Sequence, residues 1–232
     1  MGLAPGERGH ETERSGLDRI GVVFSQKENV MEGLQTAVCE IQGMTPCLMN
    51  NGQKADSMNE YAKQMKAITS TRRRGQVLTD EQAEKLAKLE FMGALYVDEK
   101  GRPCWPGENL EAMLYSAAKK FRRGPDALIG LWVIGNFALE YDGPKDTEKL
   151  WADKRFVKRC MVRQKDVPVM RTRPIFTAWS LRFVVTFNAE VLDLDTIRQW
   201  LEKAGSAVGL SDWRPKFGQF RVLSVTLAAT AK

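Results

Sequence analysis

The chain has 232 residues, 43% of them hydrophobic, which is enough for the core of one large domain. No apolar run approaches the roughly 20 residues that span a bilayer, and no secretory signal is recognisable, so we expect a soluble cytoplasmic protein without membrane contact. The formal net charge is +6, and residues 36–232 alone contain 31 basic and 23 acidic side chains. A basic domain is compatible with a polyanionic partner but does not identify one.

The residue types used for catalysis and metal binding are sparse. The cysteines Cys39, Cys47, Cys104 and Cys160 have no Cys-x-x-Cys spacing, and His10 is the single histidine, so neither a zinc site nor a disulfide framework is expected. The sequence also has no phosphate loop and no Ser/His/Asp set. We therefore expect a protein that is not an enzyme and that holds no cofactor and no metal.

The first 35 residues differ in composition from the rest of the chain. They are rich in Gly, Glu, Arg and Ser, and residues 20–24 are their apolar island. This composition is typical of a flexible arm. Alternatively it is an artefact of the start site, since Met31 would also serve as a first residue, or the apolar island anchors on a neighbouring subunit. Residues 36–232 are predicted to form one domain.

A strand and two helices are predicted at the start of this domain. Residues 36–44 alternate in hydrophobicity as a strand does, and residues 58–70 carry apolar side chains at helical spacing. The pair Thr79 and Gln82 is a capping box that opens a second helix. Residues 91–97 are predicted as a short strand. The side chains expected to face the core from the first helix are Met58, Tyr61, Met65 and Ile68.

Two basic groups occur in this half of the chain. Three arginines stand between the first two helices, where they form either a solvated loop or a compact phosphate clamp. Four cations end a third helix, predicted over residues 108–121 with Phe121 facing the core. Cations favour a helix C-terminus, but this number also fits a binding edge. The residues of the two groups are Arg72, Arg73, Arg74 and Lys119, Lys120, Arg122, Arg123.

Residues 127–141 are apolar and predicted to be rich in strand, and the character changes after them. Residues 151–173 form a β-rich insertion in which charged and apolar side chains alternate, a pattern suited to following a phosphate backbone. The alternative is edge-strand protection by charge. The candidate binding residues in this ribbon are Lys158, Arg159, Arg163, Arg171 and Arg173.

The last third has the clearest periodicity. Residues 179–187 alternate as a strand with one buried face, residues 193–208 form an amphipathic helix, and residues 220–227 form a final strand. This strand–helix–strand unit is half of a ferredoxin-like fold, and the first strand and helix supply the matching half. We therefore predict an α+β fold with an antiparallel sheet, helices on one face and the β-rich insertion.

The connection over residues 209–220 is unusual for a loop because it contains two glycines, two cations and three aromatics. A simple turn is small and polar, so Trp213 and Phe217 need either a hydrophobic seat or a flat ligand. Arg214 and Lys216 offer charge to a phosphate. The alternative is a glycine cap followed by a loop that its own aromatics pin to the core.

Three motifs occur in order along the chain. They are Gly43-Met44-Thr45-Pro46-Cys47-Leu48-Met49-Asn50, Pro106-Gly107-Glu108-Asn109, and Gly209-x-x-Asp212-Trp213-Arg214-Pro215-x-x-Gly218-x-Phe220. Together they resemble a family of uncharacterised bacteriophage proteins. That family in turn resembles the RAMP superfamily, whose RNA-recognition-motif-like members include backbone subunits of CRISPR effector complexes. The resemblance implies location in a bacterial host cell.

The resemblance also implies a binding mode. In the superfamily a glycine-rich loop near the C-terminus and a thumb-like insertion hold single-stranded nucleic acid, and backbone subunits stack into helical arrays. Residues 209–218 would be the loop and residues 151–173 the insertion. This loop has fewer glycines than is usual, and the histidine of the processing nucleases has no counterpart in residues 36–232.

The leading hypothesis is therefore a non-catalytic protein with weak sequence specificity that binds a single strand of RNA or DNA and forms homo-oligomers or filaments along it. Its cations would neutralise phosphates, and Trp213, Phe217 or Trp105 would stack bases. The alternatives are a structural or assembly protein of the virion, and an inhibitor that mimics a subunit of a host nucleic-acid-guided complex. The feature that separates them is whether the cations converge on one groove.

Overall fold

The structure is a computed structural model that describes residues 33–70, 77–164 and 167–228. The predicted arm up to residue 32 and the triple-arginine segment, Arg72–Arg74, lie outside the described residues. The strands are β1 (Leu34–Gly43), β2 (Cys47–Leu48), β3 (Cys104–Pro106), β4 (Leu131–Trp132), β5 (Asn136–Glu140), β6 (Val157–Gln164), β7 (Val167–Phe176), β8 (Ser180–Asn188) and β9 (Phe220–Leu227). The α-helices are α1 (Glu60–Ser70), α2 (Asp80–Met92), α3 (Gly107–Ala118), α4 (Gly124–Gly130), α5 (Thr147–Ala152) and α6 (Leu194–Ala207).

The main sheet has the strand order β3–β5–β8–β1–β9, with β4 also paired to β8. Strand β1 runs antiparallel to β9, and β8 runs antiparallel to β4 and β5. The chain passes from β1 through α3 to β5, and from β8 through α6 to β9, so each half is a strand–helix–strand unit. The predicted α+β, ferredoxin-like fold is therefore confirmed.

One face of this sheet carries the core because the strands alternate in burial. In β1, Ala37, Cys39 and Ile41 are fully buried and belong to the same cluster as the inward side chains of α3 and α6. The opposite face is polar, and Glu40 there lies 3.5 Å from Arg182. Such alternation is expected of a sheet covered by helices on one side only.

Helix α6 shows how directly the sequence specifies these elements. Asp193 caps its start, since its carboxylate accepts the Thr196 N–H at 2.7 Å. Ile197, Trp200 and Ala204 recur at helical spacing and are buried under the sheet. The predicted capping box of Thr79 and Gln82 opens α2, and both of its hydrogen bonds are formed. No helix in the described ranges is long and apolar enough to cross a membrane.

A second, smaller sheet has the order β2–β7–β6 and contains the predicted ribbon. Strands β6 and β7 form an antiparallel hairpin whose register pairs Lys158 with Arg173 and Cys160 with Arg171. The far end of β7 pairs with β2, because Cys47 lies opposite Phe176. The β-rich insertion is therefore joined edge to edge with the segment that follows β1.

Four local predictions are wrong. Helix α1 has no fully buried residue and Met58 is 72% exposed, because α1 packs mainly on α2; of the four side chains expected to face the core, Tyr61 packs against it partly buried. Residues 91–97 are the end of α2 and a turn, since a short apolar run does not by itself distinguish a helix end from a strand. Phe121 is 42% exposed because α3 ends at Ala118. Residues 127–130, the start of the stretch predicted as strand, belong to helix α4, which Pro125 opens, whereas β4 and β5 lie in the rest of that stretch.

Candidate functional site

The C-terminal loop, residues 209–220, is held in place by the segment around β2. The Gly218 N–H donates to the Pro46 carbonyl at 2.8 Å, and the Asp212 N–H donates to the Leu48 carbonyl at 2.9 Å. These backbone hydrogen bonds join two stretches that are far apart in sequence. The loop is therefore a fixed part of the structure and lies beside the small sheet.

Backbone geometry at the two loop glycines explains why they are glycines. Gly209 and Gly218 have φ angles of +79° and +76°, in the left-handed region that side chains disfavour. A Cβ atom at Gly218 would lie 2.4 Å from the Leu210 carbonyl oxygen. The loop therefore closes tightly on itself at this point.

Trp213 occupies the same left-handed region, which is rare for a large side chain. Its φ angle is +61°, and 42% of its surface is exposed. The ring of Phe217 lies 6.0 Å from the Trp213 ring, tilted by 36°, and Lys216 Nζ lies 6.0 Å from the centre of the Phe217 ring. A costly backbone conformation that keeps an indole at the surface is a feature typical of functional sites.

The hairpin register divides the five predicted ribbon cations between two faces. Residues directly opposite in an antiparallel pair point to the same side, so Lys158, Arg171 and Arg173 share one face. Arg159 and Arg163 point to the other face. The predicted ribbon residues therefore form one set of three cations and a separate pair.

Carboxylates hold both arginines of this three-cation face. Arg171 Nη1 lies 2.6 Å from Glu90 Oε1, and Glu90 is 4% exposed and also accepts the Thr172 N–H at 2.8 Å. Arg173 Nε lies 3.3 Å from Asp212 Oδ2 in the C-terminal loop. The second ion pair joins the hairpin to the loop, so the two predicted binding regions meet.

Lys54 lies against this cluster, and it was not among the residues predicted from the sequence. Its ammonium donates to Asn50 Oδ1 at 3.2 Å. Burial, together with the positive charges of Arg173 and Arg171, lowers the pKa of Lys54 to about 8, while Glu90 acts in the opposite direction. The pKa of Lys54 is therefore lowered first by burial and only second by the neighbouring arginines.

Two cavities adjoin at Asn50. The first, which we call the basic cavity, has a volume of about 350 Å³ and is lined by Asn50, Lys54, Glu90, Arg171 and Arg173 among others. The second, the central cavity, has a volume of about 330 Å³. Its lining includes Asn50, Tyr96, Glu108, Asn109, Asp212 and Arg214. Parts of all three sequence motifs therefore meet around the central cavity.

The other predicted cations lie elsewhere. Lys119, Lys120 and Arg122 are exposed at the C-terminal end of α3, whereas the central cavity is at the N-terminal end of this 12-residue helix, about 18 Å away. Arg123 is held within the fold, since its Nε lies 2.7 Å from Asp126 Oδ2 and its Nη1 donates to Thr196 Oγ1 at 3.2 Å. The predicted cations therefore do not form a single groove.

Trp105 differs from the other two candidate stacking residues because it is 2% exposed and belongs to the core. Its ring packs 5.4 Å from Tyr96. Its indole N–H makes no regular hydrogen bond within the described part of the chain, and the Cys47 thiol is its polar neighbour. Of the three candidates, Trp213 is exposed and Phe217 is half-buried.

Sequence reasoning did not select several residues of the two cavities. Lys54 follows an Asn-Asn-Gly turn and Glu90 ends a helix, so each looked like an ordinary surface residue. For Asp212 and Glu108 a signal existed, because both belong to the conspicuous motifs. No three His, Cys, Asp or Glu side chains are grouped as a metal site requires within the described ranges.

Comparisons with known proteins give a likeness of shape only. No protein-family model matches the chain, and no curated protein matches it. Among solved structures, the chain is similar to one from the cryo-electron microscopy structure of the Type III-B Cmr-beta bound to cognate target RNA, with 12% identity and a TM-score of 0.48. The match covers 94% of this chain and 69% of that one. A likeness at this level carries no argument about function, and the resemblance to a bacteriophage family stays a prediction.

Proposed function

We propose that this protein binds a single strand of nucleic acid, RNA or DNA, without cutting it. The observation that carries the proposal is the meeting of the three-cation face of the hairpin, Lys54 and the C-terminal loop on one concave surface. We call this surface the groove. It consists of the basic cavity, the central cavity, Lys158 opposite Arg173 on the same hairpin face, and Trp213, Lys216 and the half-buried Phe217 of the C-terminal loop.

The charges of the groove favour a phosphate backbone. In the basic cavity and on the adjoining hairpin face, the cations Lys54, Lys158, Arg171 and Arg173 outnumber the carboxylates of Glu90 and Asp212. The carboxylates orient the two guanidinium groups and leave a net positive charge. Phosphate oxygens that enter the basic cavity would replace the hydration lost by Lys54.

The aromatic pair on the C-terminal loop suits the bases of a strand. Stacking of a base on an exposed aromatic side chain contributes about 1–3 kcal/mol, and it does not depend on the base. Trp213 offers such a surface, and the half-buried Phe217 lies next to it with Lys216 against the Phe217 ring. A backbone contact next to a stacking surface is the arrangement that binds single strands with little sequence preference.

We also propose that copies of the protein assemble along one strand. Strand β9 is an edge of the main sheet, and its side chains Leu223 and Leu227 are 52% and 51% exposed. An exposed edge strand with apolar side chains favours contact between chains. The mass of the complex, measured by light scattering, should then rise in steps with strand length.

Binding is tested with fluorescently labelled RNA and DNA strands of about 24 nucleotides, by anisotropy at several salt concentrations. With five phosphates neutralised, by Lys54, Lys158, Arg171, Arg173 and Lys216, the logarithm of the association constant should fall with the logarithm of salt concentration with a slope of about −3.5. A duplex of the same sequence is the control and should bind more weakly, because its bases are not available for stacking. An affinity for single strands that does not change with salt would overturn the proposal.

Strand binding should weaken as the pH rises above about 8. Lys54 is charged below its pKa of about 8 and loses its proton above it. A bound phosphate favours the charged form, so the free protein binds best where Lys54 is already protonated. The charged groups that face Lys54 are Arg171 and Arg173 on β7, Glu90 on α2 and Asp212 in the C-terminal loop.

The measurement is the dissociation constant between pH 7 and pH 9, for the wild type and for Lys54→Gln. The wild type should lose affinity across this range, and the variant should bind more weakly at pH 7 but with a flat profile. An identical pH profile in both proteins would show that Lys54 does not contact the strand.

A further inference from the structure

The central cavity has a different chemical character from the basic cavity. Its volume of about 330 Å³ lies at the lower end of the range for small-molecule pockets, about 300–1,000 Å³. Tyr96 supplies an aromatic ring, Leu210 an apolar side chain, and the remaining lining is mostly polar. A flat, polar-edged molecule of the size of a nucleobase suits this combination.

Several polar groups of the cavity are already engaged in the fold. The Ser211 hydroxyl accepts the Leu48 N–H at 2.8 Å and donates to the Leu48 carbonyl at 3.1 Å. Asp212 holds Arg173, and Asn50 Oδ1 accepts from Lys54. These groups shape the cavity, and they have little capacity left for a ligand.

Besides the buried indole of Trp105, three polar side chains of the lining are available. Within the described residues, the side chains of Glu108, Asn109 and Arg214 make no hydrogen bond or ion pair. Glu108 is an acceptor only, Arg214 is a donor only, and Asn109 is both. The cavity therefore offers a ligand a carboxylate, a guanidinium and an amide.

We propose that the central cavity binds one guanine base of the strand. Guanine presents the N1–H and N2–H donors side by side, which a carboxylate accepts in pairs, and it presents O6 and N7 as acceptors for a guanidinium. Cytosine and adenine have one exocyclic amino group without a neighbouring N–H donor, and uracil has a single N–H. Glu108 and Arg214 together therefore favour guanine over the other three bases.

The position of the cavity fits a base that belongs to a bound strand. Asn50 lines both cavities, and Asp212 lines the central cavity while its ion pair with Arg173 borders the basic cavity. A nucleotide with its phosphate in the basic cavity would thus have its base beside Glu108. This inference rests on the proposed strand binding and adds one specific position to a protein that otherwise reads no sequence.

The test compares oligouridine strands of about 12 nucleotides that contain a single central guanine, adenine or cytosine, or none. The strand with guanine should bind about 5- to 150-fold more tightly than the others. In Glu108→Gln this ratio should fall to near one, because the amide offers one acceptor atom in place of two. The matched control is Glu202→Gln, an exposed glutamate of α6 that should keep the wild-type ratio.

Equal binding of all four strands by the wild type would overturn the guanine assignment, and so would a preference that survives in Glu108→Gln. A separate titration with guanosine 5′-monophosphate and the three other nucleoside monophosphates, followed by calorimetry, distinguishes this failure from that of strand binding. If the protein prefers guanosine 5′-monophosphate but binds no strand, the proposed function is refuted and the guanine site in the central cavity stands. If it binds strands without any preference for guanine, the guanine site is refuted and the proposed function stands.

Discussion

Replacing Lys54, Lys158 and Lys216 together by glutamine should weaken single-strand binding about 100-fold, if each cation contributes roughly 1 kcal/mol at the surface. The three side chains lie on three separate elements, and two of them are exposed. Their removal leaves the ion pairs of Arg171 and Arg173 intact, so the fold should survive. Because each cation neutralises one phosphate, the slope of the salt dependence should also become shallower by about 2.

The matched control also removes three positive charges, but from the C-terminal end of α3, which is the end far from the groove. Lys119, Lys120 and Arg122 are exposed there, and they were also candidates on sequence grounds. Their replacement by glutamine should change the affinity by less than about threefold, which is the effect of net charge alone. Circular dichroism checks that both variants are folded. Equal losses in the two variants would mean that the overall charge, and not the groove, drives binding.

Periodic segments of this chain could be predicted from the sequence with few errors. Strand β8 and helix α6 each show one unbroken period, and Asp193 and Thr79 cap helices in the way their positions indicate. Local chemistry determines such elements, and the order of the strands in the sheet follows from the two strand–helix–strand units. Helix α1 was also located correctly, but its burial depends on what packs against it, which its own sequence does not record.

The site was predictable in its parts but not in its assembly. The sequence singled out the C-terminal loop and the hairpin because their composition is unusual. The hairpin register, which separates Arg159 from Arg171, follows from strand pairing that composition does not specify. Glu90 is 81 residues from Arg171, and no local pattern connects them. The groove is therefore a product of tertiary contacts, whereas its most visible residues are local.

A methyl group at Gly218 should lower the free energy of unfolding by about 2–5 kcal/mol. An alanine at a left-handed φ costs about 1–2 kcal/mol, and crowding of a packed site adds about 1–3 kcal/mol. The added Cβ would lie 2.4 Å from the Leu210 carbonyl oxygen and 2.5 Å from the Ser211 Cβ. To relieve this clash the backbone must shift, and the shift also breaks the hydrogen bond from the Gly218 N–H to the Pro46 carbonyl.

Gly101 supplies the matched control, because its φ angle of +72° is nearly the same and nothing lies within 4 Å of an added Cβ. Gly101→Ala should therefore show only the conformational cost, about 1–2 kcal/mol. Chemical denaturation of both variants measures the difference, and strand binding by Gly218→Ala should fall as the C-terminal loop moves Trp213. If both alanines cost the same, the loop has room to adjust. The contact with the segment around β2 would then not be what holds Trp213 at the surface, and the left-handed conformation of Trp213 would need another cause.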